Sequence, residues 1–198
     1  MPTDPRTEPI VVQEGGRTLA FVYDELMRYH GGAMPGGVAL AYRLMQAVFR
    51  QHRAAGGALP QRGASAFYSG LGENGQGILD AADCVLRLRR HGLLRTAPQG
   101  AIPPDAPPAP GGNCYYFELA LGNTLYAATL RNGLIPPEFF ALSQQRHDAS
   151  KGLAAFTDAD MARLMTLRAR LADDVMRADE AALFQITVEA VPELHTGT

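Results

Sequence analysis

"TLAFVYDELMRYHGGAMPGGVALAYRLMQAVFRQHR", residues 18–53, holds two helical patterns separated by a bare glycine turn. Leu19, Val22, Leu26 and Tyr29 recur at helical spacing, which predicts a first helix over 18–30 that stops at Gly31 and Gly32. Pro35 suits the first turn of a second helix, which runs to Gly56 and Gly57. Gly36, Gly37, Ala39 and Ala41 make one end of that helix slim enough for close packing against a neighbouring element or a second copy of the chain. The sparse backbone of "YHGGAMPGG" (29–37) therefore has two readings. It is a tight connection between helices that happens to contain His30, or it is a place where a bound group approaches the main chain.

Working outward, residues 1–17 are polar and punctuated by proline and glycine, and read as a loose N-terminal arm around the short apolar run "IVV". "ASAFYSGLG" (64–72) reads as a buried strand entering the turn "GLGENGQG" (70–77), from which a third helix runs on to Gly92. Residues 97–112 are Pro-rich and predict an exposed loop without regular structure. "CYYFELAL", "GNT" and "LYAATLR" form a hairpin pattern. Paired prolines at 136 and 137 start a fourth helix. A fifth follows with Asp158 placed as its cap, and "ALFQITVEAVP" closes as a strand. Strands and helices mix without βαβ alternation, so the expected class is α+β: one domain over 18–192, with helices around a small, mainly antiparallel sheet and a tail at 193–198.

Composition narrows the function classes. A 198-residue chain that is 46% hydrophobic and 19% charged suits one core, and a formal net charge of −2 offers no basic footprint for nucleic acid or an anionic membrane. Lys151 is the single lysine, which removes most candidates for Schiff-base chemistry. Cys84 and Cys114 cannot form a disulfide framework or a CxxC zinc site. No signal-peptide or spanning pattern is visible, so a cytoplasmic location is the expectation.

Three stretches together resemble the formylmethanofuran dehydrogenase E-subunit family. "YHGGAMPGGVALAYR" is similar to that family's turn of the form His-Gly-His-x-Cys-Pro-Gly with its following helix. "GENGQGILDAADCV" is similar to its Asp-Ala helix start, and "RADEAALFQITVEAVPEL" to its closing turn and strand. The likeness covers residues 18–192, and His30, Pro35, Gly36, Arg43, Asp80 and Ala81 match position by position. The family's second histidine falls on Gly32, its cysteines on Met34 and Gly77, and its Thr-Gly-Cys on Leu86-Arg87-Leu88. The resemblance thus implies a homodimer with a small-molecule pocket that works without a thiolate and without a tightly bound metal. The sequence names no cofactor.

Within that pocket His30, Asp80 and Glu73 are the candidate acid–base groups, since a neutral imidazole oriented by a carboxylate is an economical proton-transfer unit. Candidate ligand-binding residues are Tyr29, Gly31, Gly32, Met34, Pro35, Gly36, Arg43, Asn74 and Cys84. Each has a plain structural counterpart. His30 can cap a helix C-terminus, the acids can complement a helix N-terminus, and Cys84 can be a small buried hydrophobe. Tyr115, Tyr116 and Tyr126 read as strand packing. The glycine turn lacks the P-loop lysine and is read as a strand-to-helix connection. Two functions remain open: an enzyme using His30 with Asp80 or Glu73, and a non-catalytic ligand-binding or accessory protein.

Overall fold

The structure is a computed structural model that describes residues 4–191. Strand β1 (Ile10–Glu14) and strand β2 (Arg17–Phe21) form an antiparallel hairpin in full register, Ile10 opposite Phe21 and Glu14 opposite Arg17. The turn is Gly15-Gly16 with φ of +54° and +76°, the positive-φ pair that a two-residue hairpin demands. This corrects two expectations. Residues 18–21 are strand rather than helix, because hairpin pairing overrides an apolar spacing that fits a helix equally well. The segment before them is no loose arm: Ile10 and Val12 are core residues, Tyr42 donates to the Glu8 carbonyl at 2.5 Å, and the Gln46 amide donates to those of Pro5 and Glu8.

Helix α1 (Tyr23–His30) begins after Val22, whose N–H is taken by Glu25 Oε2 at 2.8 Å, and ends at Gly31 in the left-handed region. Helix α2 (Pro35–Ala54) is the axis of the molecule. Val38 through Phe49 are buried without a break, the mark of a helix enclosed on all sides. It packs against α1, against helix α3 (Gln76–Leu86) and against helix α5 (Asp158–Arg177).

The main sheet has five strands in the order β4-β3-β7-β8-β9: Leu94–Arg95, Ser65–Ser69, Tyr116–Leu121, Thr124–Leu130 and Phe184–Ala190. Only the β3–β4 pairing is parallel, so the class is α+β with a mainly antiparallel sheet, as the pattern of elements suggested. Phe117, Leu119 and Leu121 point from one face of β7 into the main core, while Ala120 joins Ala66 and Leu125 in a smaller cluster on the other.

The third helix stops at Leu86, short of Gly92, because Arg87 takes a left-handed φ of 56°. The Pro-rich 97–112 segment is tied down rather than free. The N–H groups of Gln99 and Gly100 donate to the buried carboxylate of Glu118 at 2.7 and 2.8 Å. Strand β5 (Pro108–Ala109) pairs with β6 (Asn113–Cys114), and Ala109 is core. Helix α4 (Pro137–Ser150) follows its paired prolines as expected. Helix α5 is capped by Thr157 rather than Asp158: Asp160 N–H donates to Thr157 Oγ1 and Thr157 N–H to Asp160 Oδ2, a reciprocal box. A short helix α6 (Glu180–Leu183) leads into β9. The end of the domain at 192 and the 193–198 tail lie outside the described residues.

Candidate functional site

The glycines of "YHGGAMPGG" answer to packing. A methyl on Gly77 would sit 2.7 Å from the Met34 carbonyl oxygen, and one on Gly37 would sit 3.1 Å from the Ile78 nitrogen. The first turns of α2 and α3 therefore cross backbone to backbone, which only glycine permits. Gly36 meets Leu171 of α5 in the same way, at 3.1 Å.

His30 locks this crossing. Its side chain is 5% exposed, and Nδ1 lies 2.8 Å from Asp80 Oδ2. Its Nε2 accepts the Met34 backbone N–H at 3.1 Å. Since Nε2 accepts, the proton of the neutral ring sits on Nδ1 and is donated to Asp80. One imidazole thus fastens the end of α1, the entry of α2 and the first half of α3.

Asp80 is held in turn. Its Oδ1 accepts from Arg89 Nη2 at 2.6 Å, and the same guanidinium reaches Asp83 Oδ2 at 3.2 Å. Asp83 also accepts from the Arg89 N–H at 2.8 Å and from the Tyr29 hydroxyl at 2.9 Å. Burial works to raise the Asp83 carboxyl, but hydrogen bonds from the Arg89 N–H, Tyr29 and the Arg89 guanidinium outweigh it and hold its pKa low. The bond to Asp83 pushes the Tyr29 phenol up.

The cavity lies elsewhere, on the α4–α5 side of the α2 entry. It encloses about 340 Å³, within the range of small-ligand sites. Leu40, Leu71, Phe139 and Leu171 supply apolar wall, Tyr115 closes it, and Ala109 and Pro110 bring the Pro-rich segment to its edge. Arg146, His147 and Arg168 supply its ionisable groups, and among the described lining residues there is no carboxylate. Arg168 Nη1 donates to the Ala33 carbonyl at 3.2 Å. Burial and the nearby Arg146 charge both push its pKa down. The Asn74 amide lies 3.3 Å from His147 Nδ1, which leaves the ring proton on Nε2, a buried atom without a hydrogen-bond partner.

Of the residues singled out from sequence, Met34, Gly36 and Asn74 line this cavity, and His30 and Asp80 meet each other but do not line it. Tyr29 is 54% exposed and bonded to Asp83, Gly31 and Gly32 form the turn with positive φ, and Pro35 opens α2. Arg43 is corrected outright: it is buried in α2, donating to Gln46 Oε1 at 3.0 Å and to the Ala178 carbonyl at 2.8 Å, and it braces the α5–α6 junction. Cys84 packs on the core, burial pushes its thiol up to about 11, and it is the small hydrophobe of the plain reading. The Glu73 side chain lies outside the described part of the structure.

Sequence reasoning missed Arg146, His147 and Arg168, although a signal was present. Phe139, Ser143, Arg146, His147 and Ser150 fall at i, i+4, i+7, i+8 and i+11, one face of α4. Arg168 interrupts the buried stripe Leu164, Leu167, Leu171 of α5, where the spacing calls for an apolar residue. A comparison with known proteins finds no protein-family model and no curated protein that matches the chain. Among the described residues, no group of three or more His, Cys, Asp or Glu side chains is placed to hold a metal ion. Nor is any described helix long and apolar enough to cross a membrane.

Proposed function

We propose that the chain is a small-molecule-binding protein whose site is the cavity between the entries of α2 and α3 and the facing sides of α4 and α5. The observation that supports this best is a cavity of about 340 Å³ whose walls combine apolar side chains with the unpaired cations Arg146 and Arg168. Binding without chemistry suits the arrangement, because the lining offers no nucleophile held by a base and no carboxylate among the described residues. The reading keeps with the resemblance to the formylmethanofuran dehydrogenase E-subunit family, which implies a small-molecule pocket beside this turn.

The acid–base alternative has one observation in its favour, the 2.8 Å contact of His30 with Asp80. Against it, each ring nitrogen already has a protein partner, so the imidazole has no free position for a substrate proton. Native mass spectrometry of freshly purified protein tests the binding reading. Retained mass is expected on the parent chain and absent from Ser143→Trp, which fills the cavity from α4. A parent chain that carries no ligand, and whose Tm responds to no small amphiphile, would overturn it.

A further inference from the structure

We propose that the cavity selects an amphiphilic oxyanion: a ligand with an apolar body and a carboxylate or phosphate head held between Arg146 and Arg168. This rests on the cavity being a binding site and adds the chemical class of what binds. The chain carries 20 acidic and 18 basic side chains, so a cavity with two arginines and no described acid is not what composition alone would produce. Elsewhere arginines find carboxylates. Arg50 pairs with Glu8 and Glu180, Arg62 with Glu14, Arg89 with Asp80 and Asp83, and Arg163 with Glu138. No described acid forms an ion pair with Arg146 or Arg168.

Arg168 is part-buried, spends one donor on a backbone carbonyl, and faces a second cation. A guanidinium carries five N–H donors in a planar fork, and an oxyanion is the partner that fits this geometry. The same guest would relieve the repulsion between the two arginines. Asn74 leaves His147 presenting a buried Nε2 proton with no acceptor in the protein.

The helix ends independently favour negative charge. The first turns of α1, α4 and α5 each contain acidic residues, Asp24 and Glu25, Glu138, and Asp158 and Asp160. Those of α2 and α3 contain none, and it is their glycines 36, 37 and 77 that line the cavity. The ligand's apolar body is set by Leu40, Leu71, Phe139 and Leu171. Phe139 and Arg146 are seven residues apart on one face of α4, a spacing of about 10 Å between an aromatic wall and a cation.

Isothermal titration with octanoate, octyl phosphate and 1-octanol reads the inference directly. Octanoate or octyl phosphate is expected to bind at least about tenfold more tightly than octanol, and that advantage should shrink as salt is added. Preference between the two anions assigns the head as carboxylate or phosphate. In the double variant Arg146→Gln and Arg168→Gln, octanol affinity should persist while the anion advantage disappears. Equal affinity of the parent for octanol and both anions would overturn the oxyanion inference and leave the binding site standing. Loss of all three probes in the parent would remove the site itself. The salt series needs no variant, so a misfolded double mutant cannot shelter the idea.

Discussion

Two polar regions lie on opposite sides of the same helix crossing, and they treat charge in opposite ways. In the His30 network each titratable group meets its complement: imidazole to Asp80, Asp80 to Arg89, Arg89 to Asp83, Asp83 to Tyr29. In the cavity, Arg146 meets Arg168, and His147 keeps an unsatisfied nitrogen. Polar groups that satisfy one another inside a protein add to the fold and leave nothing over for a ligand. Charges kept unpaired in a concavity cost stability and have a use only when something else completes them. The histidine that looks catalytic in the sequence is thus an architectural brace, and the plainer α4–α5 face holds the reactive potential.

The largest effect should come from breaking the brace. His30→Ala leaves the Met34 N–H and one Asp80 oxygen without partners and opens a void at the α1–α2–α3 junction. A loss of about 3 kcal/mol is expected from unsatisfied buried groups together with lost packing. For a chain of this size that lowers Tm by roughly 6–12 °C in calorimetry. Octanoate affinity, measured well below the new Tm, should stay within about twofold of the parent, since a side chain outside the cavity has no contact to lose. A stable His30→Ala protein with abolished binding would reverse the roles assigned to the two regions.

A smaller and pH-dependent effect sharpens the same contrast. The folded-state pKa of Asp83 lies below its ordinary value of 3.8. Its contribution is therefore present above that value and is lost as pH falls through the depressed folded value. Asp83→Asn should cost about 1 kcal/mol at pH 7, the scale of hydrogen bonds from Tyr29 and Arg89 to a charged acceptor. The difference in Tm between parent and variant should close below about pH 4 in a series of thermal melts. A gap that stays constant down to about pH 2 would mean that the charge of Asp83 adds nothing to the brace.

Much of this architecture is legible in the sequence, and the failures have physical causes. The α2 helix, its proline start, the β7–β8 hairpin and the α+β class follow from local patterns that tertiary contacts reinforce. Residues 18–21 fail because Leu19, Val22 and Leu26 satisfy a helical spacing, while the hairpin partner that overrules them depends on Gly15-Gly16 just upstream. The Pro-rich 97–112 segment looks unburiable until Glu118, a buried acid in the middle of a strand, is seen to need its N–H groups. The His30–Asp80 contact is anticipated, yet its meaning is not, because the second bond of His30, to Met34, is a backbone hydrogen bond no side-chain pattern announces. Arg146 and Arg168 lie on separate helices, and their shared lack of an acid exists only in three dimensions.

The smallest expected change in stability is also the one with the most telling sign. Arg168→Met keeps much of the side-chain bulk on the Leu164–Leu171 stripe of α5 while removing a part-buried cation that faces another. The lost bond to the Ala33 carbonyl is a single exposed contact at 3.2 Å. Relief of the Arg146 repulsion and of the desolvation cost should offset it. Tm should therefore stay level or rise, by an amount on the order of 0–1 kcal/mol in stability, as replacing a buried charge by an apolar group of similar size commonly does. Octanoate affinity should fall in the same protein, so stability and binding move in opposite directions. At His30 the reverse holds, with stability falling and binding unmoved. A destabilisation of about 2 kcal/mol or more in Arg168→Met would place Arg168 among the structural ties of the fold, and the difference between the two regions would no longer stand.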